Sequence, residues 1–162
     1  LIFLPYLMGE RTPRWNPNAR GAFIGLTLAH KRADMLRAVL EGVTYNLCII
    51  ADIFRSHVPF DSVTVIGGGA KGAVWRQMMA DVYNCRIDKL NVLEEATSMG
   101  AAVTAGVASG VFENFDVIER FVSVDSTHEP DPAASSKYDK IKPIFEKCYH
   151  ALVDVYEDMA EL

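Results

Sequence analysis

Cysteine is scarce in this chain, and its placement argues against both disulfide-rich and zinc-binding proteins. The 162 residues include three cysteines, Cys48, Cys85 and Cys148, which are far apart and form no C-x-x-C pair. The four histidines are also scattered, without the close spacing of metal ligands. We therefore expect the cysteines to be reduced, buried thiols, as in a cytoplasmic protein.

The sequence also lacks a basic block and a long apolar run. The formal net charge is −5, with acidic and basic residues mixed along the chain, so we expect no nucleic-acid partner. The opening apolar run, residues 1–8, contains Pro5 and is too short to cross a bilayer, so we expect no membrane association. Because residue 1 is Leu within a strand-like run, we expect the chain to be a piece of a longer protein.

Strand and helix patterns alternate along the chain, which predicts an α/β fold over one domain, residues 1–162. Strands are predicted over 1–6, 21–28, 62–66 and 86–90. Helices are predicted from Asp34 to Pro59, over 72–84, 97–109 and 115–122, and after the polar stretch 125–131. In the first and last helices, large apolar residues recur in steps of four and three, and we expect these two stripes to face a sheet. The stripes are Leu36, Leu40, Val43, Leu47, Ile50 and Phe54 in the first helix, and Ile141, Phe145, Cys148, Leu152, Val155 and Met159 in the last, with Pro143 near its start.

The strongest local signal is the run Val63-Thr-Val-Ile-Gly-Gly-Gly-Ala-Lys71, in which a buried strand meets glycines before a helix. Glycines permit a close approach of backbone to ligand, and a helix N-terminus favours a phosphate group. The pattern is neither a Walker A motif nor G-x-G-x-x-G. Two interpretations stay open from the pattern alone, a phosphate-binding loop and a tight turn without a ligand.

Several acidic residues could in principle carry chemistry, but structural roles are favoured. Asp34 and Glu41 lie on one helix and could form a carboxylate pair, although Asp34 is better interpreted as the N-cap. Glu94 and Glu95 could bind a metal, but they precede a helix start, where negative charge is stabilising. We predict neither a catalytic residue nor a metal ligand among them.

Other candidates are also given structural interpretations. Glu10 and Arg11 are interpreted as a local ion pair, with Arg11 facing a cleft as the alternative. Trp75 is interpreted as a core residue and less readily as a stacking partner for adenine. The small side chains between Gly100 and Ala108 are expected to let the backbone pack closely against another element.

Longer motifs carry a family resemblance. The run Gly21-Ala-Phe-Ile-Gly-Leu26, followed after seven residues by Asp34-Met-Leu-Arg-Ala-Val-Leu-Glu41, resembles the second signature of the FGGY carbohydrate kinases. Upstream, Leu4-Pro-Tyr-Leu-Met-Gly-Glu-Arg-Thr-Pro13 and Asn16-Pro-Asn-Ala-Arg-Gly21 are similar to the xylulokinase branch. The glycine loop and Glu95-Ala-Thr-Ser-Met-Gly-Ala-Ala102 follow in the family's order. The resemblance runs from about Leu4 to Gly110.

This resemblance implies part of a two-domain protein with an actin-like, ribonuclease-H-like ATPase fold. In the family, the N-terminal domain mainly holds the sugar, the C-terminal domain mainly holds ATP, and the reaction occurs between them. The chain resembles the later part of the C-terminal domain. The family's catalytic aspartate and phosphate loops lie earlier, and no segment here matches them, so we expect the isolated chain to be inactive.

The resemblance also assigns candidate nucleotide-binding residues. Gly68, Gly69 and Ala70 are expected to approach the ribose and α-phosphate of ATP. Lys71 could reach a phosphate or simply be solvated. Ala73 lies where some relatives place a polar residue near the nucleotide. A methyl group cannot make the hydrogen bond that such a residue would make.

The function implied by the resemblance is transfer of the γ-phosphoryl group of ATP, with Mg²⁺, to a ketopentose, most readily xylulose to give xylulose 5-phosphate. The expected partners are the sugar, ATP and an N-terminal sugar-binding domain of the same protein, and a homodimer is compatible with the sequence. The alternatives are a non-catalytic adenine-nucleotide-binding module, acting as sensor or scaffold, and an ATPase of the same fold acting on proteins.

Overall fold

The computed structural model describes all residues of the chain, 1–162, as an α/β fold of five strands and five helices. The elements are β1 (Ile2–Leu4), β2 (Ala22–Ile24), α1 (Arg32–His57), β3 (Ser62–Val65), α2 (Ala73–Tyr83), β4 (Arg86–Leu90), α3 (Ala96–Ala108), β5 (Val124–His128), α4 (Pro132–Ala151) and α5 (Val153–Ala160). Two short 3₁₀ turns, Gly68–Lys71 and Phe115–Arg120, lie between them. None of the helices combines the length and the apolar character that a membrane span requires.

The chain divides into two compact units. Unit 1 comprises Leu1–Phe60, Asp81–Tyr83 and Asp131–Leu162, and unit 2 comprises Asp61–Ala80 and Asn84–Pro130. One domain over residues 1–162 stays a prediction.

Unit 1 is built on an antiparallel hairpin, in which β1 pairs with β2 so that Phe3 lies opposite Phe23. Helices α1 and α4 both pack against β1. The approach of α1 is close because Gly42 meets the backbone carbonyl of Phe3, where a larger residue would collide. The core beneath is aromatic, since Tyr45 packs on Phe145 with 5.4 Å between ring centroids.

The predicted stripe of α1 is wrong. Leu36, Leu47 and Phe54 are exposed, whereas the buried positions on this helix are Ala38, Gly42, Thr44, Tyr45, Asn46 and Cys48. The physical reason is that small residues allow the backbone of α1 to lie against β1, while the tyrosine fills the space between α1 and α4. In the last helical segment, Val155 and Met159 of the predicted stripe are likewise exposed, although Phe145 is fully buried.

The loop between β1 and β2 is fixed to the helices of unit 1 by polar contacts. The carboxylate of Glu10 accepts hydrogen bonds from the side-chain amide of Asn46 at 3.0 Å and from the backbone N–H of Arg11 at 2.9 Å. Asn46 also accepts a bond from the hydroxyl of Tyr6 at 3.2 Å. The Arg11 side chain is exposed. Glu10 therefore has a structural role, as expected, but it acts through Asn46 and a backbone group.

Unit 2 contains a three-stranded sheet in the order β3-β4-β5. Strand β4 runs parallel to β3 and antiparallel to β5, with Val63 opposite Ile87 and Ile87 opposite His128. Ile87, in the middle strand, is fully buried, and Met78 and Met79 of α2 are also in the core.

Three further predictions need correction. Asp34 is not the N-cap of α1; it lies in the first turn, where its carboxylate accepts the N–H of Lys31 at 2.8 Å and so still satisfies the helix start. The stretch predicted to be a polar connection contains strand β5, because pairing with β4 compensates for its weak apolar pattern. The last helix is two helices that meet at Leu152, and Pro143 lies inside α4, well after its first turn.

Candidate functional site

The glycine run forms a sharp turn between β3 and α2, within unit 2. Gly67 has a φ of 81°, a backbone conformation that favours glycine, and its N–H donates to the carbonyl of Leu93 at 3.1 Å. Residues Gly68–Lys71 then make one 3₁₀ turn, and α2 begins at Ala73. The first N–H groups of such a turn have no acceptor within it, so they face whatever lies in front of the loop.

The two glycines that begin the turn have different surroundings. Gly68 is exposed, and a Cβ atom built on it would meet nothing within 4 Å. A Cβ on Gly69 would lie 2.7 Å from a ring carbon of Trp75, so the indole ring covers this glycine. Trp75 thus packs on the loop from within unit 2, while Gly68 leaves open space at the surface.

The two alanines that were predicted to approach a nucleotide also differ. Ala70 is 1% exposed, so its methyl group and its backbone are both covered by the rest of unit 2. Ala73 is exposed as the first residue of α2. A ligand in front of the turn would therefore meet the exposed backbone of Gly68 and the methyl group of Ala73, with Ala70 behind them.

Lys71 is held by an acidic neighbour. Its amine forms an ion pair with the carboxylate of Glu94, in the segment that precedes α3, and both side chains are exposed. The hydrogen bond from Lys71 lowers the pKa of Glu94, and the same contact raises the pKa of Lys71. The amine stays charged and is already close to the loop, within reach of an anion there.

Arg76 was not singled out from the sequence, yet it makes the most direct side-chain contacts with the loop. Its guanidinium is buried, with the residue 6% exposed, and it donates to the carbonyl of Ala70 and to that of Lys71 at 3.1 Å. Burial, with a smaller contribution from the charge of Arg76, lowers the pKa of His128 on β5. No sequence signal marked Arg76, because an arginine in a helix is usually exposed and its contacts with the loop exist only in the folded chain.

The predicted acidic candidates do not come together. Asp34 accepts the N–H of Lys31 in the first turn of α1, whereas Glu41 accepts hydrogen bonds from Arg37 at 2.8 Å and from the hydroxyl of Tyr138 at 3.2 Å. No group of three or more His, Cys, Asp or Glu side chains is arranged to hold a metal ion. The glycine loop, with its backbone groups and one lysine, is suited to binding and orienting an anionic ligand.

Comparison with known proteins places this geometry in a family. The C-terminal domain of the FGGY family of carbohydrate kinases matches residues 1–109. The xylulose kinase of Staphylococcus epidermidis is 39% identical over 161 residues, which cover 98% of this chain and 32% of that protein. The gluconokinase of Bacillus licheniformis is 36% identical over 162 residues, which cover 99% of this chain and 31% of that protein.

A solved structure shares the fold. The ligand-bound xylulose kinase of Lactobacillus acidophilus superposes with a TM-score of 0.88 at 34% identity, covering 98% of this chain and 32% of that one. The chain thus spans about a third of the length of the relatives that it matches. The expected fold class, part of a C-terminal domain with the actin-like, ribonuclease-H-like ATPase fold, is confirmed. The chain belongs to the FGGY family of carbohydrate kinases, in which it matches the C-terminal domain.

Proposed function

We propose that this chain is the adenosine-binding part of a sugar kinase, which transfers the γ-phosphoryl group of ATP to a hydroxyl of a ketopentose. The observation that carries the proposal is the match of residues 1–109 to the C-terminal domain of carbohydrate kinases. The open, backbone-lined turn in front of Gly68 supports it, since a phosphate or ribose can approach a glycine backbone closely.

In the proposed complex the nucleotide lies against the 3₁₀ turn. The backbone of Gly68, Gly69 and Ala70 approaches the ribose and the α-phosphate, and Ala73 makes a van der Waals contact. Lys71 exchanges its bond to Glu94 for one to a phosphate oxygen, which keeps its charge paired throughout. The chain's contribution to catalysis is then to bind and position ATP, a large part of the acceleration in phosphoryl transfer.

The remaining parts of the reaction are assigned to the rest of the protein, which we propose to be cytoplasmic. An N-terminal domain binds the sugar, and the catalytic base and phosphate loops come from segments outside residues 1–162. Mg²⁺ is expected with ATP, where it neutralises charge on the phosphates. No three His, Cys, Asp or Glu side chains of this chain converge, and the protein ligands of Mg²⁺ are assigned to segments outside residues 1–162.

Xylulose is the proposed substrate, with gluconate as the nearest competitor. Relatives of similar identity include both a xylulose kinase and a gluconokinase. The GERTP-type loop, Gly9 to Pro13, is the part of this chain that most resembles the xylulokinase branch. The assignment of xylulose therefore rests on this segment.

The test is an assay of ADP release by the full-length protein with Mg-ATP and a panel of xylulose, ribulose, gluconate and glycerol. The proposal predicts sugar-dependent release that is fastest with xylulose. Release with gluconate alone would keep the kinase and change its substrate. No sugar-dependent release, with ATP still bound, would overturn the proposal and favour a non-catalytic nucleotide-binding module.

The isolated chain provides a second test. Because the proposed cleft needs a second domain, we expect the 162-residue chain to bind ADP weakly and to transfer no phosphate. Isothermal titration calorimetry measures the affinity directly. Tight binding of ADP by the isolated chain would contradict the proposed division of the cleft between two domains.

A further inference from the structure

We infer that Arg76 is a positioning residue that holds the glycine loop in the shape that binds the nucleotide. The inference rests on the proposed function, since it assumes that ATP lies against residues 68–73. It assigns a role to a side chain that faces the protein interior, on the opposite side of the loop from the proposed nucleotide.

The contacts of Arg76 point to the loop rather than to the helix that carries it. The guanidinium donates to the carbonyl oxygens of two consecutive residues, Ala70 and Lys71. These oxygens lie where the 3₁₀ turn ends and before α2 begins. The backbone N–H of Arg76 also donates to the carbonyl of Gly72 at 3.0 Å, which closes the first turn of α2. The side chain thus ties two successive peptide groups of the loop to the helix, and the backbone of the same residue binds the next one.

The charge of Arg76 would be an unfavourable choice if the residue only filled space. Burying a guanidinium removes it from water at a cost in free energy. Hydrogen-bond acceptors in the protein must replace the lost water to compensate for that cost. Its Nε atom is buried without a partner, so the compensation is incomplete. A methionine, like Met78 and Met79 on the same helix, would fill a similar volume without that penalty. A buried charge at this position therefore indicates a task for its hydrogen bonds.

That task follows from the planarity of the peptide group. In a trans peptide the C=O and the following N–H point in opposite directions and rotate together. When Arg76 fixes the carbonyls of Ala70 and Lys71, it also fixes the direction of the N–H groups of Lys71 and Gly72. Both carbonyls accept from Nη1 of Arg76, and the N–H groups point away from the guanidinium, so this nitrogen determines what the loop presents to a ligand.

The experiment compares Arg76→Met and Arg76→Lys in the full-length protein with an arginine control, Arg120→Met, at an exposed position of unit 2. The KM for ATP, the KM for the sugar, kcat and the midpoint of urea unfolding are measured for each. We expect the KM for ATP of Arg76→Met to rise at least about tenfold, the effect of losing hydrogen bonds to a charged donor. The KM for the sugar, which binds elsewhere, should change less than about twofold.

Arg76→Lys is the conservative rescue. A lysine keeps the charge, but its amine ends a flexible chain and lacks the planar guanidinium, so it should hold the two carbonyls less firmly and give a KM for ATP between those of wild type and Arg76→Met. If Arg76→Met does not fold, the lysine variant carries the test by itself. A KM for ATP equal to wild type in a folded Arg76→Lys or Arg76→Met would overturn the inference. Equal changes in both KM values and kcat would overturn it too, because they indicate general disruption.

Failure of the inference is distinguishable from failure of the proposed function. If wild-type protein transfers phosphate from ATP and a folded Arg76→Met keeps its KM for ATP, only the role of Arg76 is lost. If wild-type protein neither binds ATP nor releases ADP, the site itself is lost, and the role of Arg76 with it.

Discussion

Arg14 and Glu146 form a two-point ion pair that joins the loop after β1 to helix α4, across 132 residues of sequence. The two guanidinium nitrogens of Arg14 donate to the two carboxylate oxygens of Glu146 at 3.0 and 2.6 Å. The guanidinium also lies over the ring of Tyr149, 4.2 Å from its centroid. The Arg14 side chain is only 9% exposed, so water screens this pair poorly. This shielded pair is thus one of the contacts that join the early and late segments of unit 1.

Replacing Glu146 with glutamine should therefore destabilise the chain. Removing one partner leaves a largely buried arginine without its counter-charge, and we expect the free energy of unfolding to fall by about 2 kcal/mol, discounted for the partial exposure of Glu146. Glu94→Gln, which breaks the exposed pair with Lys71, is the matched control and should not change stability measurably. Urea unfolding measures both. Equal stabilities of the two variants would contradict the prediction.

Two glycines in helices should respond in opposite directions to alanine. On α1, a Cβ on Gly42 would collide with the backbone carbonyl of Phe3, so Gly42→Ala should destabilise the chain by about 2–4 kcal/mol. On α3, a Cβ on Gly100 meets nothing within 4 Å, so Gly100→Ala should stabilise the chain by about 0.5–1 kcal/mol through helix propensity. Thermal unfolding separates the two. A stabilising Gly42→Ala would show that α1 does not lie against β1.

Tyr6 should make stability fall in alkaline solution. Burial raises the pKa of its hydroxyl from 10.0 to about 12. Below the pKa that the hydroxyl has in the unfolded chain, both states keep the proton and the buried hydroxyl stabilises the fold fully. Above that pKa the unfolded chain loses its proton first, so this stabilisation is lost as the pH rises through the folded pKa. Urea unfolding between about pH 9 and pH 12 should show a steeper decline for wild type than for Tyr6→Phe. Parallel declines would indicate that the hydroxyl ionises freely.

Lys71 and Glu94 should have opposite effects on the proposed nucleotide site. Lys71→Gln removes the amine near the phosphates and should raise the KM for ATP by about two- to fivefold, an effect that salt weakens because the residue is exposed. Glu94→Gln frees the amine and should leave the KM for ATP unchanged or lower it. Steady-state kinetics of the full-length protein at two salt concentrations tests both. A KM for ATP that does not change in Lys71→Gln would remove this residue from the proposed site.

Much of the fold was predictable because the local patterns are strong. Strand β4 was predicted with the bounds that the structure shows, and α1 was placed by its length and by Pro59 beyond its end. Strand β5 was missed because its residues are polar and its stability comes from pairing with β4, which no local pattern records. The buried face of α1 was misassigned because Gly42 and its small neighbours let the helix backbone lie against β1. The pattern of large apolar residues along the sequence does not show such a contact.

The candidate site was predictable as a loop but not as a set of contacts. The glycine run indicated a tight turn, and Gly67 with its positive φ confirms that turn. The separate surroundings of Gly68 and Gly69 depend on where the Trp75 ring lies, which only the folded chain specifies. Arg76 was overlooked because an arginine in a helix is usually exposed, and its burial against the loop is a tertiary feature.

The most direct test of the account is the KM for ATP of Gly68→Val in the full-length protein. Because a side chain here meets nothing within 4 Å, the variant should fold normally and project a branched group into the space proposed for the nucleotide. Gly100→Val, at another exposed glycine with open surroundings, is the matched control. The account predicts a KM for ATP raised at least about tenfold in Gly68→Val alone, with the KM for the sugar unchanged. A folded Gly68→Val with the ATP affinity of wild type would contradict the claim that the glycine loop binds the nucleotide.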